Sequence, residues 1–414
     1  MIQSQQRFEP PPGISKHTYV SCGAHLLYNQ GGWYDAEVSK ASVQISTGQI
    51  RAVAELCASF QYARRIPQHI IATPEHARDL TLTYERVNKD YGVGAASWLF
   101  ELSNAVIYRN VLYVQSDTDR YVVYETHRSP DRADAPLLNN DMPIHSELSD
   151  RRSVYFYLGS VGSFNYGHWL TDDLGRLTAI EHLRALYPRR KVRVVIPSYG
   201  DGPEAVAAPW NETRRTAIQR FCHRFFGSDV RVVLLDTYQP CRLDNLFYAS
   251  PISYHPILKS PAALRAVARR FRPFFRSRPR GRLTRLFVTR QSTRGRALEN
   301  VDAVARAFEQ IGFTIINTER LSVRSQAEIF SSAKVVAGIM GAAMANTLFC
   351  SEGTRVIHFA PEGWLEPYYW DLANVCGHEY IPCYGASVPS DGPLHMSSFR
   401  MREDDIRQSL QLAQ

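Results

Sequence analysis

The sequence predicts an α/β protein of two doubly wound, Rossmann-like domains that face a cleft. Three observations carry this expectation. The 414 residues exceed what one hydrophobic core holds, about 250–300. From Ser153 onward, short apolar runs alternate with helical patterns, as a parallel sheet requires. A basic stretch with Pro279 and Gly281, Arg276–Arg282, separates two such alternating sets. The expected division is an N-terminal domain over 1–275, β-rich and then Rossmann-like. A C-terminal Rossmann-like domain over 285–390 and a tail over 391–414 follow.

Residues 1–16 read as a loose, Pro-containing arm. Asn104–Tyr108, Val111–Val114 and Tyr121–Tyr124 read as strands, with the polar turn 115–120 between the last two. Residues 126–150 are polar and read as a surface loop. Val154–Leu158 is a short strand, followed by the glycine-bearing loop Gly159–Gly167. A helix then places Leu170, Leu174, Leu177, Ile180, Leu183 and Leu186 at spacings of three and four. Val192–Ile196 and Val230–Leu235 are strands, with a helix over Asn211–Phe226 between them. Pro261–Phe275 is a basic amphipathic helix.

The second set runs Leu286–Thr289 (strand), Val301–Ile311 (helix) and Phe313–Ile316 (strand). A helix over Ser322–Ser331, capped by Ser322, leads to the strand Lys334–Ala337. The short helix Ala342–Phe349, the strand Arg355–Phe359, the helix Glu366–Cys376 and the strand Tyr380–Cys383 complete it. A last helix lies near Arg402–Leu412.

Apolar residues make up 44% and charged residues 21%, which excludes a disordered, collagen-like or coiled-coil chain. The net charge is +8, and 42 of the 48 basic residues are Arg. Arg is a planar fork that grips phosphate and carboxylate bidentately, so an anionic partner is expected. The seven Cys are odd in number and show no CxxC pair, which fits a reducing compartment and no zinc site. Met1–Lys16 has no apolar stretch, and the uncharged run Val335–Ser351 is too short and too interrupted to span a bilayer. A soluble chain in the cytoplasm is expected.

Three constellations could carry chemistry. His168, Asp172 and Arg176 stand at i, i+4, i+8 and would share one polar helix stripe. A neutral imidazole at the opening of that helix could act as general base; a plain Asp172–Arg176 surface pair is the alternative. Arg290, Arg294 and Arg296 follow a strand directly, where a diphosphate would fit. They belong to a run of twelve Arg between Arg265 and Arg296, whose first part reads as a solvated basic face. Gly338 and Gly341 stand in a strand–loop–helix arrangement that could let a phosphate reach backbone N–H groups.

Two other patterns are set aside. Asp117 and Asp119 have the DxD form of metal-dependent sugar transferases, but sit in a polar turn where Asp is favoured locally. Trp364, Tyr368, Tyr369 and Trp370 could stack a sugar or base, yet their helical spacing suits a core for Tyr369 and Trp370.

Together these pieces resemble glycosyltransferase family 61. Its first signature, roughly N-[FY]-x-H-W-L-x-D-x-L-x-R-L, stands as Asn165-Tyr166-Gly167-His168-Trp169-Leu170-Thr171-Asp172-Asp173-Leu174-Gly175-Arg176-Leu177. A strand ending in Arg is represented by Val288-Thr289-Arg290, with Arg294 and Arg296 after it. The pattern G-x-H-G-A-x-x-x-N stands as Gly338-Ile339-Met340-Gly341-Ala342-Ala343-Met344-Ala345-Asn346, with Met340 in place of the family's His.

The resemblance implies the two-Rossmann glycosyltransferase B architecture and inverting, metal-independent transfer from a nucleotide sugar. It implies His168 and Asp172 as catalytic, either being the base, supported by Asn165 and Arg176. It implies Arg290, Arg294, Gly341, Ala342, Asn346 and Glu362 as donor-binding. No cofactor and no nucleic acid is expected. The acceptor is a glycan, polysaccharide or lipid-linked saccharide, as in capsule biosynthesis, and Arg269–Arg282 could touch the inner face of an anionic membrane. Met340 also leaves room for a nucleotide-sugar-binding relative without catalysis.

Overall fold

The computed structural model describes residues 18–20, 49–90, 93–116, 120–127, 138–139, 141–199, 211–254, 257–271, 283–290, 296–389 and 396–414. By contacts the chain divides into two units. One comprises Met1–Phe60 and Val93–Ile252, the other Gln61–Gly92 and Ser253–Gln414.

The first unit holds two six-stranded sheets. One runs in the order Arg231–Leu235, Lys191–Pro197, Ser153–Tyr157, Leu246–Ala249, Ser97–Leu102, Ile50–Cys57. The first four strands are parallel. The last two are antiparallel. Numbered along the chain, the parallel four have the order 3-2-1-4, so the order reverses between Ser153–Tyr157 and Leu246–Ala249. Ligands of open α/β sheets bind outside the strand ends at such a reversal.

Ser153–Tyr157 is buried on both faces, which explains its unbroken apolar run. Helices Ala179–Leu186 and Asn211–Phe226 lie on Lys191–Pro197 and Arg231–Leu235. The other face differs from the doubly wound expectation. There Tyr155, Tyr157, Val195, Leu246 and Tyr248 pack against Ile107, Leu112, Val114, Cys241 and Leu243 of the second sheet. The cause is local: Ala105–Tyr108, Val111–Gln115 and Arg120–Val123 pair as an antiparallel meander, and Cys241–Leu243 joins its edge. Its apolar face needs cover, and the mixed sheet supplies it.

The second unit has one six-stranded sheet in the order Thr314–Asn317, Arg285–Thr289, Val335–Ile339, Arg355–Pro361, Glu379–Ser387, Phe399–Arg400. All but the last strand are parallel. The order 2-1-3-4-5 reverses between Arg285–Thr289 and Val335–Ile339. Phe287, Phe308, Phe313, Ile357 and Phe359 fill the core on one face. Ser322 caps the helix Val323–Ser331 as expected, its Oγ accepting from Ser325 N at 3.1 Å.

Residues 61–90 also pack in this unit, which no sequence pattern marks. Ile71 bridges to Cys383 at the edge of the strand Glu379–Ser387, and the helix Pro74–Asp90 buries Leu80 and Tyr84. The buried Asp371 carboxylate collects Arg64 Nε at 2.6 Å, Tyr62 Oη at 2.7 Å and Lys259 Nζ at 3.0 Å. Burial alone would raise the Asp371 pKa, but Lys259 and Arg64 hold it below its ordinary value. The joint expected near residues 276–284 falls mostly outside the described residues, whereas contacts divide the chain at 252/253. Among the described residues, no helix is long and apolar enough to cross a membrane.

Candidate active site

In the first unit, residues 158–165 leave the strand Ser153–Tyr157 at the order reversal and run into a helical segment over residues 166–186. Asn165 opens it, its Oδ1 accepting from Gly167 N at 2.8 Å. The segment is not one α-helix. It passes from a single α turn (Tyr166–His168) through a π turn (Trp169–Asp173) and a 3₁₀ turn (Leu174–Thr178) to the α-helix Ala179–Leu186.

That change of pitch corrects the expected stripe. His168 and Asp172 do meet, Nδ1 to Oδ2 at 2.9 Å, and both stay partly exposed, with 20% and 11% of their side-chain surface. Arg176 does not join them on a surface face; it is 1% exposed and its charge partner is Asp173, Nη2 to Oδ1 at 2.5 Å. π turns inside helices are frequent at functional sites, and here one aims Asp172 and Asp173 in different directions.

Arg176 spans the order reversal. Its Nη1 donates to Ala249 O at 3.0 Å, and its Nη2 to Gly159 O at 2.9 Å. It thereby ties the ends of both parallel strands together. Asp173 also accepts from Ser163 Oγ at 2.6 Å, and that oxygen accepts from Ser160 N at 2.6 Å. The glycine loop is thus held by a buried ion pair. Asp173 and Ser163 were not singled out from sequence; a second acidic residue beside Asp172 was the available signal.

The loop in turn seats the imidazole. A Cβ on Gly162 would stand 2.6 Å from His168 Cγ, so only glycine permits this approach. Thr171 Oγ1 donates to the other Asp172 oxygen at 2.7 Å. An ionised Asp172 accepts from Nδ1–H, which leaves Nε2 as the ring nitrogen able to take a proton. This is the orienting arrangement of a His–Asp pair in general-base catalysis.

In the second unit, Arg290 follows the strand Arg285–Thr289 at its order reversal. Its Nη1 donates to Met340 O at 2.9 Å and lies 3.1 Å from where a Cβ on Gly341 would stand. A side chain at position 341 would crowd the guanidinium. Gly341 precedes the 3₁₀ turn Ala342–Phe349, so backbone N–H groups open beside the Arg290 charge. Met340 is fully buried and is engaged through its carbonyl.

Other expected donor residues fall elsewhere. Asn346 is fully buried, its amide donating to Gln326 Oε1 at 2.7 Å and to Ala343 O at 2.9 Å, and presents no surface to a ligand. It holds the Ala342–Phe349 turn to the helix Val323–Ser331. Glu362 forms an ion pair with Arg402. Ala342 is half-buried beside Gly341. Arg294, with residues 291–295, lies outside the described residues, as do Asp117, Asp119 and residues 272–282 of the basic run. Of that run, Arg269 is exposed on the helix Pro261–Phe271. Among the described residues, no three His, Cys, Asp or Glu side chains are grouped to hold a metal ion.

Each unit thus presents a charged residue pair or cradle at the carboxyl ends of its parallel strands, where the strand order reverses. A family model described as Glycosyltransferase 61 matches residues 166–357, from the His168 segment through the Arg290–Gly341 cradle. Over that part of the chain the protein is similar to glycosyltransferase family 61. No curated protein matches it.

Two solved structures are similar at low level. One is the iron-containing dodecameric glycosyltransferase TibC from enterotoxigenic E. coli H10407. It is 8% identical, with 67% of this chain and 71% of that one covered, at a TM-score of 0.26. The other is the dodecameric iron-containing heptosyltransferase TibC in complex with ADP-D-beta-D-heptose, with the same identity, coverage and TM-score. Nothing about this chain follows from likeness at that level.

Proposed function

We propose that this protein is a glycosyltransferase that works by single-displacement inversion, with the two charged sites taking separate roles. In this reading the second unit binds a nucleotide sugar and the first supplies the base. The observation that carries it is the His168–Asp172 contact of 2.9 Å, partly exposed at the strand-order reversal of the first unit. His168 Nε2 removes the proton from the acceptor hydroxyl as the oxygen attacks the anomeric carbon. Asp172 fixes the ring and stabilises the imidazolium that forms. The bond from the anomeric carbon to the donor phosphate breaks, and the nucleoside diphosphate leaves.

The leaving charge needs a cation. Arg290 and the N–H groups after Gly341 supply one without a metal, by charge-assisted hydrogen bonds in a site already organised for them. The two-Rossmann architecture of the family is the frame we infer, with the first unit's rear face covered by a sheet rather than helices. The acceptor is proposed to be a growing glycan or lipid-linked saccharide, reached from the cytoplasmic side of a membrane.

A thermal-shift screen of the whole chain against nucleotide sugars and free nucleotides tests donor binding. A ligand of the folded state raises the melting temperature by mass action. A shift with one nucleotide sugar, lost in Arg290→Ala, is expected; no shift with any nucleotide or nucleotide sugar contradicts the reading.

A further inference from the structure

Beside the Arg290–Gly341 cradle stands a second set of groups that the mechanism above leaves unused. Tyr369, on the helix Pro367–Cys376, has its hydroxyl against the Gly341 N–H. The charges of Arg296 and Arg290 are both felt at that ring. Tyr369 is mostly buried but not sealed, since 9% of its surface is exposed. Burial pushes the hydroxyl's pKa up, Glu366 adds to this, and Arg296 and Arg290 oppose it. The group therefore stays protonated and able to donate.

Behind it lies His358, on the strand Arg355–Pro361. Its ring is 4.5 Å from that of Tyr369 by centroids, and its Nδ1 is 2.9 Å from Tyr380 Oη. His358 is 1% exposed, yet its Nε2 has no hydrogen-bond partner among the described residues. The Nε of Arg296 is likewise buried without one. Two buried polar atoms left unpaired in one neighbourhood are costly unless something else satisfies them. Arg296 also holds φ at +56°, a conformation that only a surrounding constraint maintains in a non-glycine residue.

We propose that Tyr369 and Arg296 form the second half of the donor's diphosphate subsite, with His358 as the residue that positions Tyr369. Arg290 and the backbone after Gly341 take one phosphoryl group. Arg296 and the Tyr369 hydroxyl donate to the other. His358, neutral and anchored by Tyr380, backs the phenol ring and keeps the hydroxyl turned toward Gly341. Tyr369 occupies the place of a charged donor without adding a charge, which suits a site that must release a multiply charged diphosphate product. This rests on the reading of the second unit as the donor-binding one.

The test uses inorganic pyrophosphate, which carries the diphosphate without base or sugar, titrated calorimetrically into the full chain. Wild type is expected to bind it, and Arg290→Ala to weaken it. Tyr369→Phe, which keeps the ring, and Arg296→Gln are each expected to weaken it about tenfold or more, as loss of a hydrogen bond to a charged group does. Arg407→Gln, the same charge change on the helix Glu403–Leu412, is expected to leave affinity unchanged. His358→Asn is expected to weaken binding in wild type and to have no further effect on top of Tyr369→Phe. Should His358→Asn not fold, Tyr380→Phe removes the anchor alone and must show the same dependence on Tyr369.

Pyrophosphate affinity that falls in Arg290→Ala but not in Tyr369→Phe or Arg296→Gln overturns this inference and leaves the donor-site reading standing. Absence of pyrophosphate binding by wild type overturns both. A His358→Asn effect equal in both backgrounds removes His358 from the positioning role.

Discussion

Gly162 and His168 are packed so that a Cβ on the glycine would stand 2.6 Å from the imidazole Cγ. Non-bonded carbons sit at about 3.5–4.0 Å, so the contact has no slack. Gly162→Ala must therefore move the ring, the loop or both. Turnover should fall about tenfold or more, because small misplacements of a reacting group are costly. Pyrophosphate affinity should not change, since Gly162 belongs to the first unit. Measured kcat with an identified donor and acceptor, beside a pyrophosphate titration, checks both halves. Wild-type turnover in Gly162→Ala would show that the loop does not seat the base.

The Arg176–Asp173 pair is buried and ties two strand ends and the glycine loop together. Removing one partner leaves an uncompensated buried charge, which typically costs about 3–5 kcal/mol. Arg176→Met should therefore lower the urea midpoint strongly. Asp172→Asn should do so little, because Asp172 is partly exposed and water can satisfy what the substitution leaves. Equal loss in both variants would return Arg176 to the surface stripe that the spacing suggested.

Burial, with the charge of Arg296 nearby, takes His358 from an ordinary pKa of 6.5 down to about 3. The unfolded chain protonates this residue near its ordinary value, and the folded chain only near pH 3. Between those limits the unfolded state binds more protons, so stability falls as pH falls. His76 and His378 are also lowered, chiefly by burial, and act in the same direction. His358→Asn should therefore reduce the slope of stability against pH in this window by about one proton, without abolishing it. Denaturant titrations across pH 4–6.5 measure it, and an unchanged slope would contradict the burial of an uncharged His358.

Transfer should not depend on a divalent cation, because Arg290 and the backbone after Gly341 are proposed to carry the leaving charge. Activity after exhaustive chelation should match that of untreated protein. Loss on chelation with recovery on adding manganese would instead point to Asp117 and Asp119.

Much of the second unit was legible in the sequence because its rule is simple. Buried parallel strands read as unbroken apolar runs, and Ser322 announces a helix start through its own side-chain bond. The Arg290–Gly341 contact was half legible: both were placed at strand ends, but which strands adjoin is a matter of tertiary order. Spacing places Arg176 with Asp172 rather than Asp173 because it presumes 3.6 residues per turn, and a π turn followed by a 3₁₀ turn breaks that count. Arg64 and Lys259 were invisible as buried residues, since their burial depends on Asp371, hundreds of positions from Arg64. Tyr369 read as core, and it is, but a core residue can still offer its hydroxyl.

The central claim is a division of labour, with His168 serving chemistry and Arg290 serving the donor. The direct measurement is kcat and donor dissociation constant for His168→Ala and Arg290→Ala, with one identified donor and acceptor. His168→Ala should lose about 10²–10⁴-fold in kcat, as loss of a general base does, with donor affinity nearly unchanged. Arg290→Ala should weaken donor binding by about 1.5–3 kcal/mol. Donor binding that collapses in His168→Ala, or turnover that survives in it, would contradict the account.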